Sequence, residues 1–335
     1  MADQSDLNSG ENALVVDQAV FTSLPSRFGE GYAVVGHTPG VKPEERAEMT
    51  RRSPSHGALC DSGPSGCGIV SFPLTSGRIC VEYVVHAGRE HTGRGGYRVY
   101  SHALVLDAEA FRRFGCNPVR VAVAQSALHA GGPDLELPSR LPRLSIDGGN
   151  GPEWAAATDP SVLDQRDAFE LVGHVAGLLT AGKRAVAVGG KLSLEVLDWA
   201  LVSTPLWRRE QVGCSVGVRF ALSRGLDLCV LCESDLGARR LMAGQDIDWV
   251  EGSAPVAATG GWARFVADCW SAGHHVLLAR LTGAMTEPVS LERVAASAAA
   301  GVFPDDADPE AVDGWVDGIL LGRASSSPAF AAQLS

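Results

Sequence analysis

Residues able to do polar chemistry crowd into one stretch, His91-Thr92-Gly93-Arg94-Gly95-Gly96-Tyr97-Arg98-Val99-Tyr100-Ser101-His102. It runs directly into the apolar Ala103-Leu104-Val105-Leu106. Its glycines permit positive φ and close backbone approach, so polar side chains from a turn and the following strand can converge. The guanidinium groups of Arg94 and Arg98, the Tyr97 phenol, the Ser101 hydroxyl and the His102 imidazole suit the capture of an anion or a protein surface. A second polar loop, Arg51-Arg52-Ser53-Pro54-Ser55-His56-Gly57, closes a helical segment. Arg51, Arg52, Ser55 and His56 there extend the candidate surface; a solvated loop is the alternative reading. Ser101 and His102 with Asp107 or Asp61 can also be assembled on paper into a hydrolytic triad. No G-x-S-x-G elbow occurs, so no residue is assigned a catalytic role.

Other spacings point away from a cofactor or a metal. Val188-Gly189-Gly190-Lys191-Leu192-Ser193 stands between a strand and a helix, as a phosphate loop would. The P-loop pattern requires Ser or Thr directly after Lys and a longer glycine-bounded loop, and here Leu192 follows Lys191. A plain strand-to-helix turn is expected. Cys229-Val230-Leu231-Cys232 has the CxxC spacing, but it lies in an apolar strand with no second CxxC, so buried structural thiols are expected. Cys60 and Cys67 have poor ligand spacing, and adjacent His274 and His275 would diverge by about 100° on a helix. No metal and no cofactor are expected.

The elements that must position the candidate surface follow from periodicity. Val15–Phe21 and Tyr32–Gly36 read as a hairpin, and Ile69–Leu74, Ile79–Val85 and Val99–Leu106 as further strands. Pro43–Arg52 reads as a helix, with Pro and two Glu in its first turn and two Arg in its last. Asp107 is placed to cap a short helix. In the second half, Phe169–Leu179, Ser193–Val202, Trp262–Trp270, Val276–Leu281, Leu291–Ala300 and Pro309–Leu321 read as helices. Arg184–Val188 reads as a strand, and Cys214–Leu222 with Leu226–Cys232 as a hairpin. The fold class is α+β: a β-rich N-terminal domain over 13–130, a Pro/Gly-rich linker over 131–161, and a helix-rich α/β C-terminal domain over 162–321. A disordered leader over 1–12 and a flexible tail over 322–335 are expected at the ends.

Composition bounds the function class. The 335 residues are 45% hydrophobic and 20% charged, as expected of packed globular domains. The net charge of −11 is uneven: residues 1–145 carry 14 basic against 15 acidic side chains, and the remainder 14 against 24. Nucleic-acid binding by the whole chain is therefore disfavoured. Of the 28 basic residues only Lys42, Lys183 and Lys191 are lysine. Arginine suits bidentate recognition, but an Ala-, Gly- and Arg-rich composition accounts for the bias equally. With no apolar run of 18 residues and no apolar segment behind a basic N-terminus, neither a membrane span nor a signal peptide is expected. The location is expected to be cytoplasmic, with reduced cysteines.

Several segments together resemble the bacterial GTPase-associated adaptor proteins in their N-terminal and middle domains. They are Asp17-Gln18-Ala19-Val20-Phe21, Gly31-Tyr32-Ala33-Val34-Val35, Thr38-Pro39-Gly40 and Arg94 to Leu106. Further on come Leu197-Asp198-Trp199, Thr204-Pro205-Leu206-Trp207-Arg208-Arg209-Glu210, Val212 to Cys232 and Asp235 to Leu241. The resemblance spans roughly 13–245. It departs from the family at Val212-Gly213-Cys214-Ser215-Val216-Gly217-Val218, which replaces a Ser-Phe-Ser/Thr-Thr-Gly-Leu run, and no long effector region follows. It implies a non-enzymatic adaptor that works beside a GTPase, or another protein of the same system, in bacterial defence or signalling. A hydrolase acting on an ester or phosphate is the alternative.

Overall fold

The computed structural model describes residues 13–24, 31–91, 95–126, 136, 138–148, 166–251, 261–300, 303–304 and 309–321. The expected leader and tail, most of the expected linker, and Arg94 lie outside them.

Alternating apolar residues in the first half form β1 (Ala13–Ser23), β2 (Tyr32–His37), β3 (Cys67–Pro73), β4 (Ile79–Arg89) and β5 (Tyr97–Leu106). All their pairings are antiparallel, in the order β3-β4-β5-β1-β2. Within the Pro/Gly-rich stretch, β6 (Leu144–Asp147) pairs with the start of β1. In the second half, β7 (Arg184–Val188), β8 (Cys214–Val216), β9 (Leu228–Leu231) and β10 (Ile247–Glu251) pair in parallel, in the order β10-β7-β9-β8. The β8 strand then pairs antiparallel with β3, so one ten-stranded sheet crosses both halves.

The expected hairpin between Cys214–Leu222 and Leu226–Cys232 is thus corrected to a parallel pair. The physical reason lies just beyond Val216. Gly217 takes φ +71° and turns the chain onto the Ala58–Cys60 segment. Val218 bridges Leu59, the Arg219 N–H donates to the Ala58 carbonyl (2.7 Å), and the Cys60 N–H donates to the Gly217 carbonyl (2.9 Å). The chain spends its return on these contacts and re-enters the sheet at Leu228 beside Cys214.

Helices cover both faces. On one face α1 (Pro43–Arg52) packs Met49 over Phe72, Cys80, Val84 and Ala103. The Glu45 carboxylate accepts from the Lys42 N–H at the start of α1, and the Glu48 carboxylate from the Thr75 N–H in the β3–β4 turn. On the other face lie α2 (Ala108–Arg113), capped as expected by Asp107, and α3 (Pro118–Ser126), with α4 (Arg166–Thr180) and α5 (Ser193–Val202) further along. Between α5 and β10 come α6 (Leu206–Arg209) and α7 (Leu236–Met242). A second core forms where Trp199 of α5 and Phe169 of α4 meet α8 (Gly261–Ser271), α9 (His275–Ala284), α10 (Leu291–Ala300) and α11 (Pro309–Leu320). Trp270 stacks there on Phe169, and its indole N–H donates to the Ser203 hydroxyl (2.9 Å). The molecule is α+β, a mixed sheet followed by a helix-rich region. No helix among the described residues is long and apolar enough to cross a membrane.

A fully buried carboxyl, Glu82 of β4, sits under α1. Ser53, just past that helix, donates to it at 2.5 Å. Burial pushes Glu82 up to about 7, against the opposing pull of the Ser53 hydrogen bond and the Arg224 charge. Because this lies above the ordinary value of 4.5, the folded protein keeps a proton that the unfolded chain has released. That stabilisation is complete at acid pH and is lost as pH rises to about 7. We expect chemical denaturation to show the wild type losing about 3 kcal/mol relative to Glu82→Gln across that window. Parallel stability curves for the two proteins would show Glu82 to be ionised in the fold. A second expectation concerns Gly217, where an added Cβ would stand 2.5 Å from the Cys67 carbonyl oxygen. Gly217→Ala should lower unfolding free energy by about 1–2 kcal/mol through the left-handed backbone alone, with the clash at Cys67 adding to it. An unchanged denaturation midpoint would contradict the close approach of β3 and β8.

Candidate functional site

The β4–β5 hairpin carries the polar stretch to the edge of the molecule, and the carboxylate of Glu90 organises its base. Glu90's side chain is only 1% exposed. Its Oε2 accepts from the Tyr32 hydroxyl (3.0 Å) and stands 3.7 Å from His56 Nδ1; its Oε1 lies 3.3 Å from His91 Nδ1 and accepts the His91 N–H (3.0 Å). Tyr32 Oη accepts in turn from the Val99 N–H (3.0 Å). Burial pushes the Tyr32 phenol well above its ordinary range, so it remains a donor to Glu90 at neutral pH. The hairpin is further closed by the Glu90 N–H donating to the Gly96 carbonyl (3.1 Å) and by His86 stacked on Tyr97 with ring centroids 5.2 Å apart. Three elements thus converge: the start of β2, the loop after α1, and the β4–β5 turn.

Of the residues expected to form a surface, His56, Tyr97 and Arg98 lie here. Gly96 is next to His56: a Cβ on it would stand 3.6 Å from the ring. Arg98 is committed to structure, donating to the carbonyls of Ala87 (3.1 Å) and Ser23 (3.2 Å). Ser55 and Arg51 are exposed. Arg52 turns inward to the carbonyls of Arg224 (2.9 Å) and Pro73 (3.1 Å), with its guanidinium over the Phe72 ring. Arg94 lies outside the described residues.

Ser101 and His102 do not converge. They are adjacent on β5 and so point to opposite faces, and both are buried. Ser101 faces Glu82 beneath α1. His102 meets Gln18 Oε1 at 2.7 Å; because the Gln18 amide nitrogen donates to the Pro142 carbonyl (2.7 Å), His102 Nε2 is the donor. The same network takes in the other segments that carry the resemblance. Thr38 Oγ1 donates to Asp17 Oδ1 (2.9 Å) and accepts the Gln18 N–H (3.2 Å). Gly40 leaves room for the Asp17 carboxylate, which a Cβ would meet at 2.4 Å. Arg78 then closes on Asp17 at 2.7 Å. The Asp17-Gln18, Thr38-Pro39-Gly40 and His102 motif residues are therefore joints between β1, β2 and β5.

Sequence reasoning missed Glu90 and Tyr32. Glu90 is the only carboxylate between Glu82 and Asp107, and an isolated acid flanked by His91 and arginines was the available signal. The other expected sites resolve simply. Gly190–Leu192 forms one 3-10 turn leading into α5, the expected strand-to-helix turn. The Ser193 hydroxyl at the start of α5 donates to the carbonyls of Gly190 and Leu231. Of the CxxC thiols, Cys229 is buried as expected while Cys232 is exposed. Tyr32→Phe removes one donor from Glu90 and one acceptor from Val99, and should cost about 1–2 kcal/mol in denaturant unfolding. An unchanged midpoint would mean that this tip is not held through Tyr32.

Comparison with known proteins places this hairpin in a family context. No match to a curated protein was found. Residues 15–145, which hold the antiparallel strands and α1 to α3, match the family model described as GTPase-associated protein 1, N-terminal domain type 2.

Proposed function

We propose that the protein is a non-enzymatic adaptor that binds a GTPase, or another protein of the same bacterial defence or signalling system, through the tip of the β4–β5 hairpin. The observation that carries this reading is the Glu90-centred base: a nearly buried carboxylate gathers Tyr32, His56 and His91 on one platform beside Gly96 and Tyr97. Side chains held in place before binding lose less conformational freedom than free ones. Tyr97, stacked on His86, and Arg94 of the same stretch have the aromatic and arginine character of interface anchors, and Arg51 and Ser55 are exposed. The family description of residues 15–145 supports a GTPase as the partner. The second half is read as the family's middle domain, and the location as the cytoplasm. Burial of Ser101 and His102 on opposite faces favours binding over hydrolysis by that pair.

The test is affinity purification of the tagged protein from its host lysate with GDP and with a non-hydrolysable GTP analogue, followed by identification of the retained proteins. A GTPase enriched in one nucleotide state is expected. Tyr97→Ala and Arg94→Ala should each weaken its capture about tenfold or more, equivalent to about 1.4 kcal/mol, while the protein stays folded at the assay temperature. Arg52→Ala should instead lower the thermal midpoint. Retained capture by both tip variants would remove the hairpin from the interface, and a partner-free protein in both nucleotide states would remove the adaptor reading.

A further inference from the structure

The parallel strands β7, β8 and β9 end on one edge of the sheet, and the residues that follow them are Gly189–Lys191, Gly217 and Cys232. The crevice outside the carboxyl ends of parallel strands is where open α/β sheets collect ligands. Here it is a cavity of about 580 Å³, walled by Ile69, Tyr83, Val119 and Leu194, with Lys191 and Cys232 among its polar lining. Val123 and Leu194 remain substantially exposed beside it, at 46% and 42%.

Two thiols from distant parts of the chain meet at this edge. Cys60 arrives on the segment that pairs with Gly217–Arg219, its N–H fixed on the Gly217 carbonyl. Its thiol interacts with that of Cys232, the exposed residue that follows β9 and lines the cavity. The interaction with Cys60 lowers Cys232 and raises Cys60 relative to an ordinary thiol, and Cys232 is the exposed member of the pair, which makes it the attacking thiolate and Cys60 the protonated neighbour. Among the other cysteines, Cys80, Cys116, Cys214, Cys229 and Cys269 are buried, while Cys67 is exposed but raised by desolvation. Cys232 alone combines access with thiolate character.

We propose that Cys60 and Cys232 are a thiol–disulfide exchange site for a low-molecular-weight, carboxylate-bearing disulfide admitted through this cavity. The Cys232 thiolate attacks one sulfur of the small disulfide, the S–S bond breaks, and one small thiolate leaves. Cys60 loses its proton to solvent and attacks the Cys232 sulfur, expelling the second small thiolate. The protein gains one disulfide by giving two electrons to the small molecule, which becomes two reduced thiols. Lys191 in the cavity lining supplies the charge that a carboxylate would meet. The product bond would tie the loop after α1 to the end of β9.

The probe is oxidised glutathione added to the reduced full-length protein. Remaining thiols are then alkylated and the chain digested without reductant for mass spectrometry. The expected product is a Cys60–Cys232 linked peptide, with Cys67 alkylated. In Cys60→Ser, glutathione should accumulate on Cys232 as a mixed disulfide. Brief iodoacetamide labelling of the wild type at neutral pH should modify Cys232 about tenfold faster than Cys67. Glutathione or disulfide distributed over other cysteines, no reaction, or equal labelling of Cys232 and Cys67 would each overturn the proposal. The linked-peptide and labelling readouts use the wild type and do not depend on how a variant folds.

Discussion

The three-residue pairing of β3 with β8 is the constraint on which the rest of the molecule depends. Ile69, Val70 and Ser71 face Val216, Ser215 and Cys214, and this short antiparallel ladder is all that makes one sheet of an antiparallel half and a parallel half. It needs two backbones closer than side chains allow. A Cβ on Gly68 would stand 2.8 Å from the Val216 carbonyl oxygen, and one on Gly217 would stand 2.5 Å from that of Cys67. The glycines therefore belong to the seam. The left-handed turn at Gly217 also sends the chain across to Ala58–Cys60, so the same residue joins the sheet and anchors the loop that carries His56.

Around this seam, inward-turned arginines do work that composition alone cannot reveal. Arg52 reaches from α1 to the carbonyls of Arg224 and Pro73, and so fastens the first half to the β8–β9 connection. Arg209 of α6 donates to the carbonyls of Gly115, Thr204 and Val202 and to the Thr282 hydroxyl, which links the α2–α3 turn to α9. Burial lowers it to about 10, still well above neutral, so it stays charged. These carbonyls sit at the ends of helices and strands and in turns, and a five-donor guanidinium satisfies several at once. The arginine excess is thus partly structural, while other described arginines, Arg51 among them, face outward.

What was legible in the sequence follows from how local its cause is. The helix Pro43–Arg52 is set by its own proline, acids and basic end, and the strands by alternation, so their placement needed no tertiary information. The β8–β9 pairing was misread because strand–turn–strand composition is the same for a hairpin and for a short parallel crossover. What distinguishes them here is a contact with residues 58–60, far away in sequence. The candidate site divides the same way. The polar stretch was visible as composition, but the inward turn of Ser101, His102 and Arg52 depends on which face of β5 or α1 is covered. Glu90 escaped notice because its importance comes from Tyr32 and His56, which fold onto it from two other segments.

The Glu90 tip and the thiol pair are mechanically connected. Both rest on the loop between α1 and β3: His56 faces Glu90, while Ala58 and Cys60 are pinned to Arg219 and Gly217. A second route runs through the sheet. Cys67, in the cavity wall, pairs with Val85, and the next residue, His86, stacks on Tyr97. A bond between Cys60 and Cys232 would pull on the segment that positions His56, and a partner that reorders Tyr97 would act on the strand end beside Cys67. Coupling between two sites requires a shared element whose arrangement both can bias. In this fold that element is the short segment from Ser55 to Cys60, held at one end by a carboxylate and at the other by the left-handed turn of Gly217.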